Sequence, residues 1–210
     1  MGRAERIASS LSEDELPRII TKVERSRARL DGPGRDDSPA PAPVAEGPDI
    51  EVSDSGDHTL ALVNTYTGGL ATPHHRALAR AAGLAHGFGL DLLLVGWPSK
   101  DLGAMCQKAA VSSGMEGGEY LLPLLAKDRI RDCTLDDLLD GSHEEGHLVA
   151  TTDDAPSSID PSGYGRICAL MGLGRHGLPG KVIDRVPERW DVTGLGSSLE
   201  TSVAMGAIAT

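Results

Sequence analysis

The chain has 210 residues, 40% of them hydrophobic, and a formal net charge of −11. No apolar run reaches the roughly 18 residues that a membrane-spanning helix needs, and residues 1–17 contain no apolar stretch like that of a signal peptide. We therefore expect a cytoplasmic protein with no membrane partner.

The acidic balance also bears on nucleic-acid binding, because it argues against a protein that holds nucleic acid by electrostatics alone. However, Arg outnumbers Lys three to one. An acidic, Lys-poor composition suits a high-salt cytoplasm, where charge repulsion is screened within about 3 Å at 1 M salt.

The three cysteines are widely spaced and odd in number, so we expect reduced thiols and no metal site.

The first predicted element is a helical arm over residues 1–30, whose apolar residues recur at helical spacing on one face. Basic residues occupy another face: Arg18, Lys22, Arg25 and Arg29. This basic face is either a stripe that contacts RNA or a solvated face that complements the helix dipole. Residues 31–57 are rich in Pro, Ala, Gly and Asp without an apolar pattern, which predicts a flexible linker.

From residue 58 onward, short apolar runs alternate with amphipathic ones. The runs predict strands at 59–63, 92–95, 129–133, 148–152 and 166–171, with a strand end at 190–192. Helices are predicted at 73–86, 102–112, 119–126, 135–139, 181–185 and 199–208. This alternation indicates an α/β domain with a mostly parallel sheet, in which ligands bind beyond the carboxyl ends of the strands.

Two short motifs point to other functions. GLGRHG at residues 172–177 fits the dinucleotide fingerprint G-x-G-x-x-G, with Asp191 near the spacing of the ribose-binding acid. That fingerprint normally opens a doubly wound domain, whereas only 33 residues follow Gly177. HEEGH at residues 143–147 fits the zinc motif H-E-x-x-H, which requires a helix. Gly141 and Gly146 flank or interrupt it, so we expect a loop there.

Three further segments occur in order along the chain. HHRALAR at residues 74–80 is similar to N-x-G-A-I-x-R, with Arg80 at the arginine position. ICALMGLGRHGLP at residues 167–179 is similar to an apolar strand followed by G-x-E-x-x-G-L-S, with Gly174 at the acidic position. SLETSVA at residues 198–204 is similar to S-L-N-x-S-x-A, with Glu200 replacing Asn. Together they resemble the SpoU/TrmD (SPOUT) superfamily of RNA methyltransferases, and in detail an uncharacterised archaeal branch of it.

This resemblance implies that residues 58–210 form an α/β domain with a C-terminal trefoil knot, and that the protein is a homodimer. It implies that S-adenosyl-L-methionine (SAM) is held by backbone groups of three loops, where glycine permits close approach. Ordinary tight turns are the other interpretation of those glycines. The implied cofactor-binding residues are Thr151, Thr152, Gly172, Leu173, Gly174, Gly177, Leu178, Val192, Gly194 and Leu199.

The implied catalytic residues are Arg80, Ser198 and Glu200. Because an arginine is almost always protonated, Arg80 is expected to bind phosphate or orient the acceptor hydroxyl, although a helix arginine is also often simply solvated. The resemblance predicts methyl transfer from SAM to a ribose 2′-hydroxyl of tRNA or rRNA. Two alternatives stay open: a knotted protein that binds SAM or RNA without catalysis, which Gly174 and Glu200 favour, and an unrelated nucleotide-binding α/β enzyme.

Overall fold

A computed structural model describes residues 50–112, 117–141, 145–155, 163–174 and 176–209. The chain divides into two units, Met1–Glu46 and Gly47–Thr210, and the described residues all belong to the second. The predicted helical arm at 1–30 and most of the predicted linker at 31–57 lie outside the described residues. The described end of that linker packs on the following domain, because the Gly56 N–H donates to the Asp91 carboxylate at 2.8 Å.

The second unit contains a six-stranded parallel sheet in the order β3-β2-β1-β5-β4-β6. Its strands are β1 (His58–Val63), β2 (Leu90–Val95), β3 (Ile130–Cys133), β4 (His147–Thr151), β5 (Ile167–Gly172) and β6 (Glu188–Trp190). Its helices are α1 (Thr72–Phe88), α2 (Leu102–Ser112), α3 (Leu121–Ala126), α4 (Leu135–Leu139), α5 (Gly180–Ile183) and α6 (Thr201–Ala209), and a short 3-10 turn, Gly118–Tyr120, precedes α3. None of the helices in the described ranges is both long and apolar enough to cross a bilayer.

Helices cover both faces of the sheet, which explains why the central strands are apolar along their whole length. On one face, Leu60 and Leu92 pack with side chains of α1, α2, α3 and α6. On the other face, Ala61 and Leu93 pack with side chains of α4 and α5. Alternate residues of each strand therefore belong to different halves of the core, as the two-residue repeat of a strand requires.

The end of the chain changes from one face of the sheet to the other. Val182 of α5 belongs to the core of one face, whereas Met205 of α6 is fully buried in the core of the opposite face. The connection runs through β6 and residues 191–200, along the carboxyl ends of the strands. There the connection lies against the loop after β4: a Cβ added to Gly196 would be 3.5 Å from the Asp153 carbonyl oxygen.

The elements predicted from residue 58 onward are present in the predicted order, and their ends differ by at most two residues. Two of these differences have a local cause. The strand end predicted at 190–192 stops at Trp190, because the Asp191 carboxylate accepts the Thr193 N–H and turns the chain. The helix predicted at 199–208 begins at Thr201, because the Glu200 carboxylate accepts the Ser202 N–H at the helix start.

Candidate functional site

Three loops leave the sheet side by side, after the neighbouring strands β5, β4 and β6, and a cavity of about 730 Å³ opens between them. This volume lies within the range of about 300–1,000 Å³ that is typical of small-molecule sites. Its lining includes nine of the ten residues implied as cofactor ligands, all but Gly194: Thr151, Thr152, Gly172, Leu173, Gly174, Gly177, Leu178, Val192 and Leu199. Ser198, Glu200 and Tyr66 also line it.

The loop after β5 folds tightly back on itself. A Cβ added to Gly172 would collide with the carbonyl oxygen of Gly177 and would lie 2.7 Å from the Leu178 nitrogen. Gly177 has a φ of 64°, a left-handed conformation that favours glycine, and its N–H donates to the Gly174 carbonyl at 3.0 Å. The glycines of this loop are therefore required by its own backbone, whatever ligand lies beside it.

The loop after β6 is built around Asp191, which is 4% exposed. Its carboxylate accepts the N–H of Gly196 at 2.7 Å, and the hydroxyl and N–H of Thr193 at 2.8 and 2.9 Å. These bonds, the one from Gly196 first, lower the pKa of Asp191. Gly194 and Gly196 have φ values of 64° and 66°. Gly194 thus shapes the cavity loop without lining the cavity.

The loop after β4 connects the other two. The Thr151 hydroxyl donates to the Leu170 carbonyl of β5 at 2.9 Å, and the Thr152 N–H donates to the Trp190 carbonyl of β6 at 3.0 Å. Since both bonds lie at the carboxyl ends of the strands, they fix the relative position of the three loops. Main-chain groups and small side chains accordingly surround much of the cavity.

Two of the three residues implied as catalytic meet beside the cavity. A guanidinium nitrogen of Arg80 in α1 lies 3.7 Å from a carboxylate oxygen of Glu200, and their side chains are 39% and 62% exposed. The Ser202 hydroxyl, which donates to the Glu200 carboxylate, is the main cause of a lowered pKa of Glu200, and Arg80 lowers it further. Ser198 lines the same cavity and is exposed.

Residues that sequence reasoning does not assign to this site include Asp191 and Tyr66. The sequence indicates Asp191 only as the acid of a dinucleotide fingerprint, although Asp-Val-Thr-Gly is a turn signal of the kind in which Asp binds the backbone two residues on. Tyr66, in the loop after β1, has no signal of this kind. Its hydroxyl donates to the Leu173 carbonyl at 3.2 Å, a contact that depends on β1 and β5 being neighbours.

The structure also bears on the two other motifs. A dinucleotide fingerprint places its glycines at the turn that opens a helix, whereas here α5 begins only at Gly180, after Gly177, and has four residues.

In HEEGH, His143 and Glu144 lie outside the described residues. Glu145 and Gly146 precede β4, and His147 is the first residue of that strand. The described half of this motif is therefore not the helix that zinc binding requires.

No family model matches the chain. Solved structures of similar fold include an rRNA methyltransferase from Sinorhizobium meliloti, at 16% identity and a TM-score of 0.45, over 77% of this chain and 56% of that one. They also include the SpoU methyltransferase AviRb from Streptomyces viridochromogenes in complex with AdoMet, at 15% identity and a TM-score of 0.43, over 73% of this chain and 56% of that one. This chain thus spans slightly more than half of each.

A curated relative is closer in sequence. The uncharacterised protein MJ0224 of Methanocaldococcus jannaschii is 31% identical over 159 residues, which cover 71% of this chain and 89% of the relative. The chain therefore belongs to the same protein family as MJ0224.

Proposed function

We propose that this protein is a SAM-dependent RNA methyltransferase of the SPOUT superfamily that modifies a ribose 2′-hydroxyl of tRNA or rRNA. The observation that carries the proposal is the cavity at the carboxyl ends of β4, β5 and β6. Residues implied as cofactor ligands by two motifs that are about twenty residues apart in sequence line this one cavity. Parallel α/β sheets bind their ligands at this edge.

The residues present fit SAM. Three loops place main-chain N–H and C=O groups around the cavity, and such groups can bind both the donors and the acceptors of an adenosine. When bound, SAM supplies an electrophilic methyl group on a sulfonium. The chain has to position the acceptor hydroxyl in line with that group and to exclude competing water.

Arg80 and Glu200 are the residues that we assign to the acceptor. The planar Arg80 guanidinium would grip a phosphate of the RNA in a two-pronged contact. The Glu200 carboxylate is held ionised by its hydrogen bonds and by Arg80, and would accept a hydrogen bond from the acceptor hydroxyl. A lowered pKa makes it a weak base, so we assign it to orientation of the hydroxyl.

We further propose that the C-terminal segment forms a trefoil knot and that the protein is a homodimer. The change of face between α5 and α6, next to the loop after β4, supports the knot. Two exposed apolar side chains of the C-terminal segment support the dimer: Leu195 and Val203 are 83% and 56% exposed, and exposed apolar surface commonly marks interfaces. Sedimentation of the full chain should show a dimer, and a stable monomer at micromolar concentration would refute the dimer.

A second candidate, a knotted protein that binds SAM or RNA without catalysis, is favoured by Gly174. Its N–H donates to the Thr65 hydroxyl at 2.7 Å, and a Cβ at this position would lie 2.5 Å from the same oxygen. An acidic side chain could therefore occupy position 174 only if Thr65 moved. A lost activity is therefore tested by Glu200→Asn, which leaves the contact between Gly174 and Thr65 in place.

Two experiments test the proposed function. Calorimetry with SAM, S-adenosylhomocysteine and NAD should show binding of the first two only, and binding of NAD alone would point to an unrelated nucleotide-binding enzyme. Incubation with labelled SAM and RNA from a strain that lacks the gene should transfer methyl groups to RNA. SAM binding without transfer to any RNA would favour the second candidate.

A further inference from the structure

Tyr66 stands at the edge of the proposed cofactor cavity, in the loop that connects β1 to α1. Three hydrogen bonds join this loop and the last residue of β1 to the loop after β5. The Tyr66 hydroxyl donates to the Leu173 carbonyl at 3.2 Å, the Gly174 N–H to the Thr65 hydroxyl at 2.7 Å, and the Leu173 N–H to the Val63 carbonyl at 3.1 Å. The phenol ring is therefore held in place at both of its ends.

The Tyr66 ring also contacts the His74 ring, which in turn contacts the Trp97 ring. The His74 ring lies 5.2 Å from that of Tyr66, centre to centre, and the Trp97 ring lies 5.2 Å from His74. His74 is 1% exposed. Its Nδ1 accepts the Ala71 N–H at 3.2 Å, so its Nε2 donates to the Asn64 amide oxygen at 3.0 Å. Burial lowers the pKa of His74, which keeps its imidazole ring neutral. The Trp97 indole N–H donates to the Leu62 carbonyl at 2.8 Å.

Despite these contacts, Tyr66 is 39% exposed. It is the one Tyr, Trp or Phe among the described residues that line the cavity. A large, rigid aromatic side chain that is held by its neighbours and still partly exposed loses little conformational entropy when a flat ligand stacks on it. Glu200 lines the same cavity, and Arg80 lies 3.7 Å from its carboxylate.

We infer that Tyr66 stacks on the nucleobase of the acceptor nucleotide of the RNA, an inference that rests on the proposed function. Proteins bind unpaired RNA bases mainly by stacking them on aromatic side chains. Stacking does not depend on charge, which matters in a chain with a net charge of −11, because its phosphate contacts weaken as salt rises. The stacked base would set the position of its ribose relative to Arg80 and Glu200.

The test uses the full chain with Tyr66→Phe, Tyr66→Leu and, as a matched control, Phe88→Leu. Phe88, at the end of α1, is 48% exposed and does not line the cavity. The probe is an unstructured, mixed-sequence RNA of about twelve nucleotides, within the site sizes of single-strand binders, bound in the presence of S-adenosylhomocysteine. Thermal melting identifies any variant that fails to fold.

Tyr66→Leu should weaken RNA binding roughly tenfold, the scale expected for the loss of one base–aromatic stack. Tyr66→Phe should keep most of the affinity, because it keeps the ring, and Phe88→Leu should change nothing. The factor lost in Tyr66→Leu should be the same at low and high salt. The factor lost in Arg80→Ala should shrink as salt rises.

Three results would overturn the inference. The first is RNA affinity of folded Tyr66→Leu equal to that of wild type, and the second is a wild type that binds no RNA. The third is a fall in SAM affinity with RNA affinity intact, which would assign the stacked base to the cofactor. A wild type that binds RNA but not SAM would instead refute the proposed function, and the Tyr66 variants would still be judged by RNA affinity.

Discussion

The two ends of the parallel sheet are built in opposite ways. At the amino ends of the strands, buried carboxylates pair with arginines that are buried or partly exposed: the Asp91 carboxylate contacts Arg129 at 3.1 Å and Arg166 at 2.6 Å, and Glu145 contacts Arg131 at 2.7 Å. At the carboxyl ends, glycine-rich loops surround an open cavity. One end is closed by side chains, whereas the other is shaped largely by the backbone.

This difference separates stability from ligand binding. Asp91 and Arg129 are each 2% exposed, and such a pair tolerates the loss of a partner poorly, because the remaining charge stays buried. The loops of the cavity are held by bonds that leave main-chain groups at its surface. Variants at the amino ends should therefore affect folding before binding, and variants at the carboxyl ends should affect binding before folding.

The largest effect is expected for Asp91→Ala, which leaves the buried Arg129 and the half-exposed Arg166 without their carboxylate. The free energy of unfolding should fall by about 3–5 kcal/mol, the usual cost of breaking a buried pair. Chemical denaturation measures this change. The control is Asp140→Ala, whose partner Arg185 lies 2.6 Å away in an exposed pair that should contribute less than about 1 kcal/mol. Equal losses in both variants would contradict the separation of the two ends.

Gly172→Val should abolish SAM binding with a smaller effect on folding. A valine at the end of β5 collides with the Gly177 carbonyl and forces the loop open, so the loss comes from a displaced loop. Calorimetry with SAM measures it. Gly87→Ala in α1 is the control, because nothing lies within 4 Å of its added Cβ. Normal SAM affinity in folded Gly172→Val would refute the assigned cavity.

Arg80→Ala should reduce methyl transfer by about a hundredfold or more, the usual scale for a positioned charge-stabilising group, while SAM affinity stays within a few-fold. Stability should hardly change, because its pair with Glu200 is exposed. Arg80→Lys should recover little, since lysine lacks the planar fork of arginine. Single-turnover assays measure transfer, with Arg185→Ala as the control. If both Arg80 variants are as active as wild type, the residue is merely solvated.

The smallest effect is expected for Asp191→Asn. Asp191 is a charged residue at the carboxyl ends of the strands, and it holds a loop in place as the charged residues at the amino ends hold the sheet. Loss of the charge that accepts the Gly196 and Thr193 hydrogen bonds should weaken SAM binding by roughly tenfold. Asp154→Asn, which removes an equal charge from the neighbouring exposed loop, is the control.

Because the pKa of Asp191 in the folded protein is lowered, its contribution to the free energy of unfolding should be complete above the unfolded value of about 3.9 and lost as pH falls through the folded value. The free energy of unfolding of the wild type, measured by chemical denaturation from pH 7 downward, should reveal this loss. The same pH dependence in Asp191→Asn would assign the loss to another group.

Much of this molecule follows from the sequence because the signals are local. The apolar runs and their spacing determine the strands and helices, since a period of two residues or of 3.6 residues is a property of neighbouring positions. The motifs indicated the three loops that line one cavity. Glycines such as Gly177 and Gly194 indicate the loops that follow β5 and β6, because a left-handed backbone favours glycine wherever it occurs.

The tertiary structure alone decided which distant residues meet. Asp91 is a single acid in an apolar strand, and its partners Arg129 and Arg166 become neighbours only through the strand order. Arg80 reaches Glu200 because α6 returns to the face of the sheet that α1 occupies. Tyr66 reaches the cavity because β1 and β5 are adjacent. Such contacts depend on the topology of the sheet, which neither propensity nor periodicity encodes.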